Sequence, residues 1–314
     1  MATLTEKIAY NRNQAKAFGW DPTWFGCDEF DGKLLDAIAL FQAQEGLSPD
    51  GMCGPATYRR VRTRRESEQE YEETRTQSSS FKNQTIYYNG KPCAIHWDKV
   101  RLWTDPGGLA LTKGYSDGPP VGSAKGRQTQ FFVTHWDVCL NSKSCAKVLD
   151  QRGISVQFCI DNDGTIYQLL DAVHACWQAG SRLWNSRSIG VEVSDAYYPK
   201  YQRWYQRNKF GPRPIWEGAR VHGRELDPFL GFYSIQEDAL AALWEAVSRM
   251  CDIPLALPET TNGVDPECER GDFQGFCNHY HLTQKKIDCA GLDNQKILQK
   301  ALAIREEHYG NGKD

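Results

Sequence analysis

QFFVTHW, residues 130–136, is the stretch from which the fold can be read. Its aromatic and β-branched side chains predict a buried strand. The strand closes on His135, where a side chain can reach a cleft at the edge of a sheet. SKSCAKVLDQRG (142–153) follows as a helix with a serine start and a glycine stop. ISVQFCIDNDGTIYQLL (154–170) predicts a hairpin of two alternating strands around Asn162-Asp163-Gly164. SIGVEV (188–193) is a second buried strand. Ser234-Ile235-Gln236-Glu237 is a capping box that opens an amphipathic helix through Met250, and a last helix follows Gly291. Strands and helices mingled in this way predict an α/β fold, a mixed central sheet flanked by helices. The stretch from Tyr197 to Leu230 gives no assignable pattern. Its aromatic run, YYPKYQRWYQ (197–206), reads as packing in preference to a sugar-stacking platform.

Upstream of this region the composition changes. RTRRESEQEYEETRTQSSS (62–80) has one aromatic, no aliphatic side chain and a serine run, so it is expected to be a solvated linker, helical in part through its charge pairs. It separates a small module, residues 1–61, from a larger domain, residues 81–314. In the module, Leu34, Leu35, Ile38, Phe41 and Gln42 fall at helical spacing after an Asp31-Gly32 entry turn. Gly46 stops that helix, Ser48-Pro49-Asp50-Gly51 is turn chemistry, and Gly54-Pro55 opens another short helix. The module is therefore expected to be all-helical.

The chain has 314 residues, 40% hydrophobic and 25% charged, with a formal net charge of −3. Nothing approaches the roughly 18 consecutive apolar residues of a membrane span, and the basic footprint of a nucleic-acid binder is missing. The opening MATLTEKIAYNRN has no positive segment followed by an apolar one, so no ordinary signal peptide is expected. Eleven cysteines, an odd number without framework spacing or a C-x-x-C pair, suit a reducing compartment better than a disulfide scaffold.

Three of the seven histidines stand in suggestive places. His135 ends its strand, and His279 and His281 form an H-x-H pair with Cys289 ten residues beyond His279. Two imidazoles and one thiolate would make a three-ligand zinc site with an open position for water, the layout of a catalytic site. On spacing alone this is a weak signal, since a histidine closing a strand is more often a satisfied core or surface residue. Glu192 is a single charge inside an apolar strand, which favours a functional group over a solvent-facing one.

LLDAIALFQAQEGLSPDGMCGPATYRRV (34–61) resembles the AVxxFQxxxGLxxDGxxGPxT pattern of helical peptidoglycan-binding domains. THWDV, SVQFCIDNDGTIYQ, HACWQAG, NSRSIGVEV and NHYHLTQKKIDCAG, over roughly residues 128–305, resemble zinc N-acetylmuramoyl-L-alanine amidases of the peptidoglycan-recognition-protein superfamily, phage endolysins among them. The resemblance implies His135, His279 and Cys289 as ligands of Zn2+, with His281 the alternative to His279. It implies Glu192 as general base and acid, Lys286 as a helper to the oxyanion, and Trp177 and Asn185 as substrate contacts. Three departures stand out. Val156-Gln157 replaces a tyrosine or serine followed by histidine. Trp177-Gln178-Ala179-Gly180 replaces Trp-His-Ala-Gly. The helper lysine is expected two residues before the third ligand, where Ile287 stands, and Lys286 is one step off. The implied whole is a monomeric endolysin with peptidoglycan as its partner, no nucleic acid and no membrane insertion. It would be made in a host cytoplasm, free or virion-borne, and brought to the cell wall by lysis or by a holin. A non-catalytic recognition protein and a zinc peptidase built on the H-x-H pair are the other readings.

Overall fold

In the computed structural model, which describes residues 2–69, 84–113 and 127–310, the chain divides into two units, Met1–Tyr71 and Glu72–Asp314. The first unit holds α1 (Leu4–Phe18), α2 (Gly32–Gln44) and α3 (Pro55–Glu68). Asp31 caps α2 by accepting the Leu34 N–H at 3.0 Å, which satisfies one of the donors a helix start leaves open. The expected stripe, Leu34, Leu35, Ile38, Phe41 and Gln42, is buried. Gln42 is the polar member because it serves the following turn. Its Oε1 accepts the Gly51 N–H at 2.9 Å, and its Nε2 donates to Asp50 Oδ1 at 2.8 Å and to Thr57 Oγ1 at 3.0 Å. The start of the expected linker belongs to α3: Thr63 is buried, and the Arg65 guanidinium lies 4.9 Å from the Trp24 ring centre. Residues 70–80 of that linker lie outside the described residues.

The second unit opens with a hairpin, β1 (Thr85–Tyr88) and β2 (Lys91–Ala94), followed by β3 (Val100–Leu102) and β4 (Phe131–Trp136). Then come α4 (Ser142–Arg152), β5 (Phe158–Ile160), β6 (Ile166–Gln168), α5 (Arg182–Arg187) and β7 (Ser188–Val193). The unassigned region contains α6 (Gln202–Arg207) and four two-residue strands: β8 (Ile215–Trp216), β9 (Arg220–Val221), β10 (Arg224–Glu225) and β11 (Phe229–Leu230). The chain closes with α7 (Ser234–Cys251), α8 (Pro266–Arg270), β12 (Gly275–Asn278), α9 (His279–Leu282) and α10 (Asn294–Tyr309). A six-stranded sheet runs in the order β12-β4-β7-β5-β6-β3, parallel except where β5 meets β6. The architecture is the expected α/β one, a mixed sheet flanked by helices.

Alternation along the strands divides the side chains between two faces. Phe132, Trp136, Ile189, Val191, Val193 and Phe276 join the core formed with α7 and α10. Trp244 of α7 is fully buried, its ring 4.9 Å from that of Phe276. Each such side chain contributes about 2–3 kcal/mol by leaving water. Phe131, Val133 and Cys277 face the other way, against Ala179, Cys268, Phe273 and Leu282. Burial on both faces explains why FFVTHW and SIGVEV read as continuous buried runs.

Two helix starts differ from expectation by one residue. Asn141, not a serine, caps α4 by accepting the Ser144 N–H at 2.8 Å. Tyr233 precedes α7, and Gln236 Oε1 accepts the Tyr233 N–H at 3.0 Å, so the back-reaching side chain is Gln236 and not Glu237. The aromatic run does pack: Tyr201, Trp204 and Tyr205 are buried with Leu140, Ala196 and Leu230. Arg213 secures the region from inside, donating to Gly231 O at 2.8 Å and Ser194 O at 2.6 Å while its guanidinium lies 4.4 Å from the ring centres of both Tyr205 and Tyr233. No helix among the described residues is long and apolar enough to cross a membrane.

Candidate metal centre

Three neighbouring parallel strands end side by side. β12 pairs with β4 through Asn278↔Thr134, and β4 pairs with β7 through His135↔Glu192. His279 begins the short α9 directly after β12, so His279, His135 and Glu192 come from the carboxyl ends of adjacent strands. In open α/β sheets that edge is where ligands bind. His135 and Glu192, in register, share the face opposite α7.

His135, His279 and Asp288 form a buried group whose donor atoms all lie within 4.8 Å of one another. Asp288 Oδ2 is 2.9 Å from His135 Nδ1 and 3.0 Å from His279 Nδ1, and the two imidazoles meet edge-to-face with centres 4.5 Å apart. Burial alone would raise the Asp288 carboxyl. The two histidines outweigh it and hold the group well below the usual carboxylate range, so Asp288 is an anion inside the protein. Two nitrogens and one anionic oxygen fit Zn2+, and three protein ligands leave a position open. His279 Nε2 is buried without a hydrogen-bond partner among the described residues.

The third member differs from the expected one. Cys289 lies in the apolar core with Ala290 and Leu292 and is not part of the group; its neighbour Asp288 takes that place. Burial, then the charges of Asp288, Glu192, Asp195 and Asp137, push the Cys289 thiol far up, whereas a metal-binding sulfur must lose its proton. With Asp288 as third member, Lys286 stands two residues before it, and the offset noted in the sequence disappears. His279, and not His281, faces His135. His281 Nδ1 accepts the Asn278 N–H at 2.9 Å, and burial pushes that imidazole down to about 4.

Glu192 is half-buried, and its charge reaches Cys289 and Cys159. Lys286 is exposed, and its carbonyl lies 2.8 Å from His222 Nε2. Trp177 is 38% exposed and offers an open indole surface. Asn185 is buried, and its side-chain oxygen accepts the N–H groups of Gln178 at 3.2 Å and Ala179 at 2.8 Å, so this part of it shapes the turn. Gln178, which stands where the resemblance expects a histidine, reaches His135: its Oε1 lies 3.2 Å from His135 Nε2. Sequence reasoning passed over Asp288 and Gln178 as members of the site. The spacing from Lys286 could have pointed to Asp288. Nothing in the sequence pointed to Gln178 as a partner of His135.

Residues 125–256 match the family model of the N-acetylmuramoyl-L-alanine amidases. The amidase match contains His135, Gln178 and Glu192 and ends before His279 and Asp288, which the fold brings to the same strand ends. Among solved structures, the Staphylococcus aureus hydrolase AmiA in complex with its ligand is similar at 10% identity and a TM-score of 0.37, over 58% of this chain and 76% of that one. The endolysine N-acetylmuramoyl-L-alanine amidase LysCS from Clostridium intestinale URNW is similar at 14% identity and a TM-score of 0.35, over 66% and 97%. A selenomethionine derivative of AmpD is similar at 14% identity and 0.34, over 66% and 95%. Comparison with curated proteins gives no match.

Proposed function

We propose that the chain is a zinc-dependent N-acetylmuramoyl-L-alanine amidase, a peptidoglycan hydrolase of the endolysin kind. The observation that carries this reading is the buried His135, His279 and Asp288 group, at strand ends whose neighbouring segment matches the amidase family. These three residues hold the metal, with Asp288 in the role first expected of Cys289. Zinc, when bound there, lowers the pKa of a water to about 7 and polarises a carbonyl.

The protein's own groups do the rest. Glu192, in register with His135, takes the proton of the attacking water and returns it to the departing nitrogen of L-alanine. Lys286 supplies positive charge to the oxyanion formed on the amide carbon. Trp177 offers an apolar face to the glycan or stem peptide, and Asn185, whose amide N–H groups have no partner among the described residues, contacts the same substrate. The helical N-terminal unit holds the polymer, so tethering raises the local concentration of scissile bonds without altering the chemistry. The enzyme works as a monomer on the cell wall, released by lysis or a holin.

Product analysis of purified peptidoglycan, digested with and without a zinc chelator, tests the reading. New L-alanine amino termini without new reducing sugars are expected, lost on chelation and restored by zinc. Binding without cleavage would mean a recognition protein, and cut cross-bridges or stem peptides would mean a zinc peptidase.

A further inference from the structure

Gln178 lies on the sheet face beside the proposed zinc ligands. Its Oε1 is 3.2 Å from His135 Nε2, and its Nε2 donates to Ser188 Oγ at 3.1 Å, so in this arrangement the carbonyl end of the amide meets the histidine. Asn185 holds its main chain by accepting the Gln178 and Ala179 N–H groups. The sheet makes room for it at Gly190, where an added Cβ would come within 1.4 Å of Gln178 Oε1. Ser188 and Gly190 are alternate residues of β7, on the face that carries Glu192. An amide carbonyl can only accept, so the His135 nitrogen that meets it must donate. With zinc bound, the imidazole would then carry its proton on Nε2 and leave the Nδ1 lone pair for the metal shared with His279 and Asp288.

We propose that Gln178, seated over Gly190 and hydrogen-bonded to Ser188, is a positioning residue that holds the Nε2–H tautomer of His135 and thereby sets zinc affinity. The inference rests on the zinc reading above. Partners that orient a ligating histidine through its second nitrogen commonly change metal affinity about 10–100-fold when removed.

Zinc dissociation constants of the full chain, measured by competition with a chromogenic chelator, test it. Q178M keeps the length of the side chain and removes the acceptor; about 10–100-fold weaker zinc binding is expected, with the melting temperature of the zinc-free protein unchanged. Q178E keeps the acceptor and is expected to restore affinity to within a few-fold of wild type. Zinc binding by Q178M equal to wild type overturns the proposal, as does equal loss in Q178M and Q178E. A wild type that binds no zinc while H135A behaves identically overturns the zinc reading, and this inference with it. Nitrogen-15 shifts of the His135 ring in the zinc-loaded wild type give a readout independent of any variant. A proton on Nε2 is expected, and one on Nδ1 overturns the assignment.

Discussion

Asp288 and Cys289 offer a metal different donors from adjacent positions, and their surroundings decide between them. The Asp288 carboxylate meets two imidazoles within 3.0 Å, whereas the Cys289 thiol sits among apolar side chains and nearby carboxylates that oppose its ionisation. Replacing Asp288 by alanine should abolish stoichiometric zinc binding, measured by metal analysis after gel filtration. Cys289→Ser should keep one zinc per chain and lose about 1–3 kcal/mol of stability in urea unfolding, because a hydroxyl enters an apolar core. Loss of zinc in the serine variant with the alanine variant still loaded would return the ligand role to Cys289. Glu192→Gln keeps the shape of the side chain but not its basicity. Turnover should fall about 100- to 10,000-fold with zinc content unchanged, the usual scale of a lost general base. His135 and Glu192 stand on strands that the sequence predicts, whereas His279 was expected from the H-x-H pair and the resemblance, with His281 as its alternative. Asp288 was not legible, because a one-residue choice in a turn depends on where the backbone aims each side chain.

Elements whose signals are local were the most readable. FFVTHW and SIGVEV became β4 and β7, and the Asn162-Asp163-Gly164 turn joins β5 to β6 as the alternation requires. The β1–β2 hairpin, turned by Asn89 and Gly90, both at positive φ, was missed although Asn-Gly is a strong hairpin signal. The region between β7 and α7 could not be read, since its strands are two residues long and its order comes from the buried Arg213. Asp195, just beyond β7, belongs to this buried set. Burial pushes its carboxyl up to about 6, against the opposing charge of Arg213. A carboxyl whose pKa is higher folded than unfolded binds more protons in the native state, so its contribution is full below about pH 4 and is lost as pH rises toward 6. Asp195→Asn should therefore flatten the melting temperature between pH 4 and 6 relative to wild type, followed by circular dichroism. An identical slope in both proteins would remove Asp195 as its source.

At the scale of the whole molecule, the two units carry separate cores. Trp20, Leu34, Ile38, Phe41 and Tyr58 are buried within the first unit. Residues 1–71 expressed alone should accordingly unfold in one cooperative transition and co-sediment with insoluble peptidoglycan, while Asp288→Ala in the full chain should still co-sediment. A folded fragment that stays in the supernatant would remove the anchoring role from this unit and leave the proposed chemistry of the second untouched.

The sequence by itself determined the helical module, the α/β class and the strands that present His135 and Glu192, because hydrophobic period and turn chemistry act over a few residues. Only the tertiary structure decided that His279 and not His281 faces His135, that Asp288 completes the group, and that Gln178 lies over Gly190 against His135. Those relations join residues from 9 to 153 positions apart in the chain, or choose between residues one or two apart. They depend on strand register and on the direction of each side chain at a turn, which no local pattern encodes.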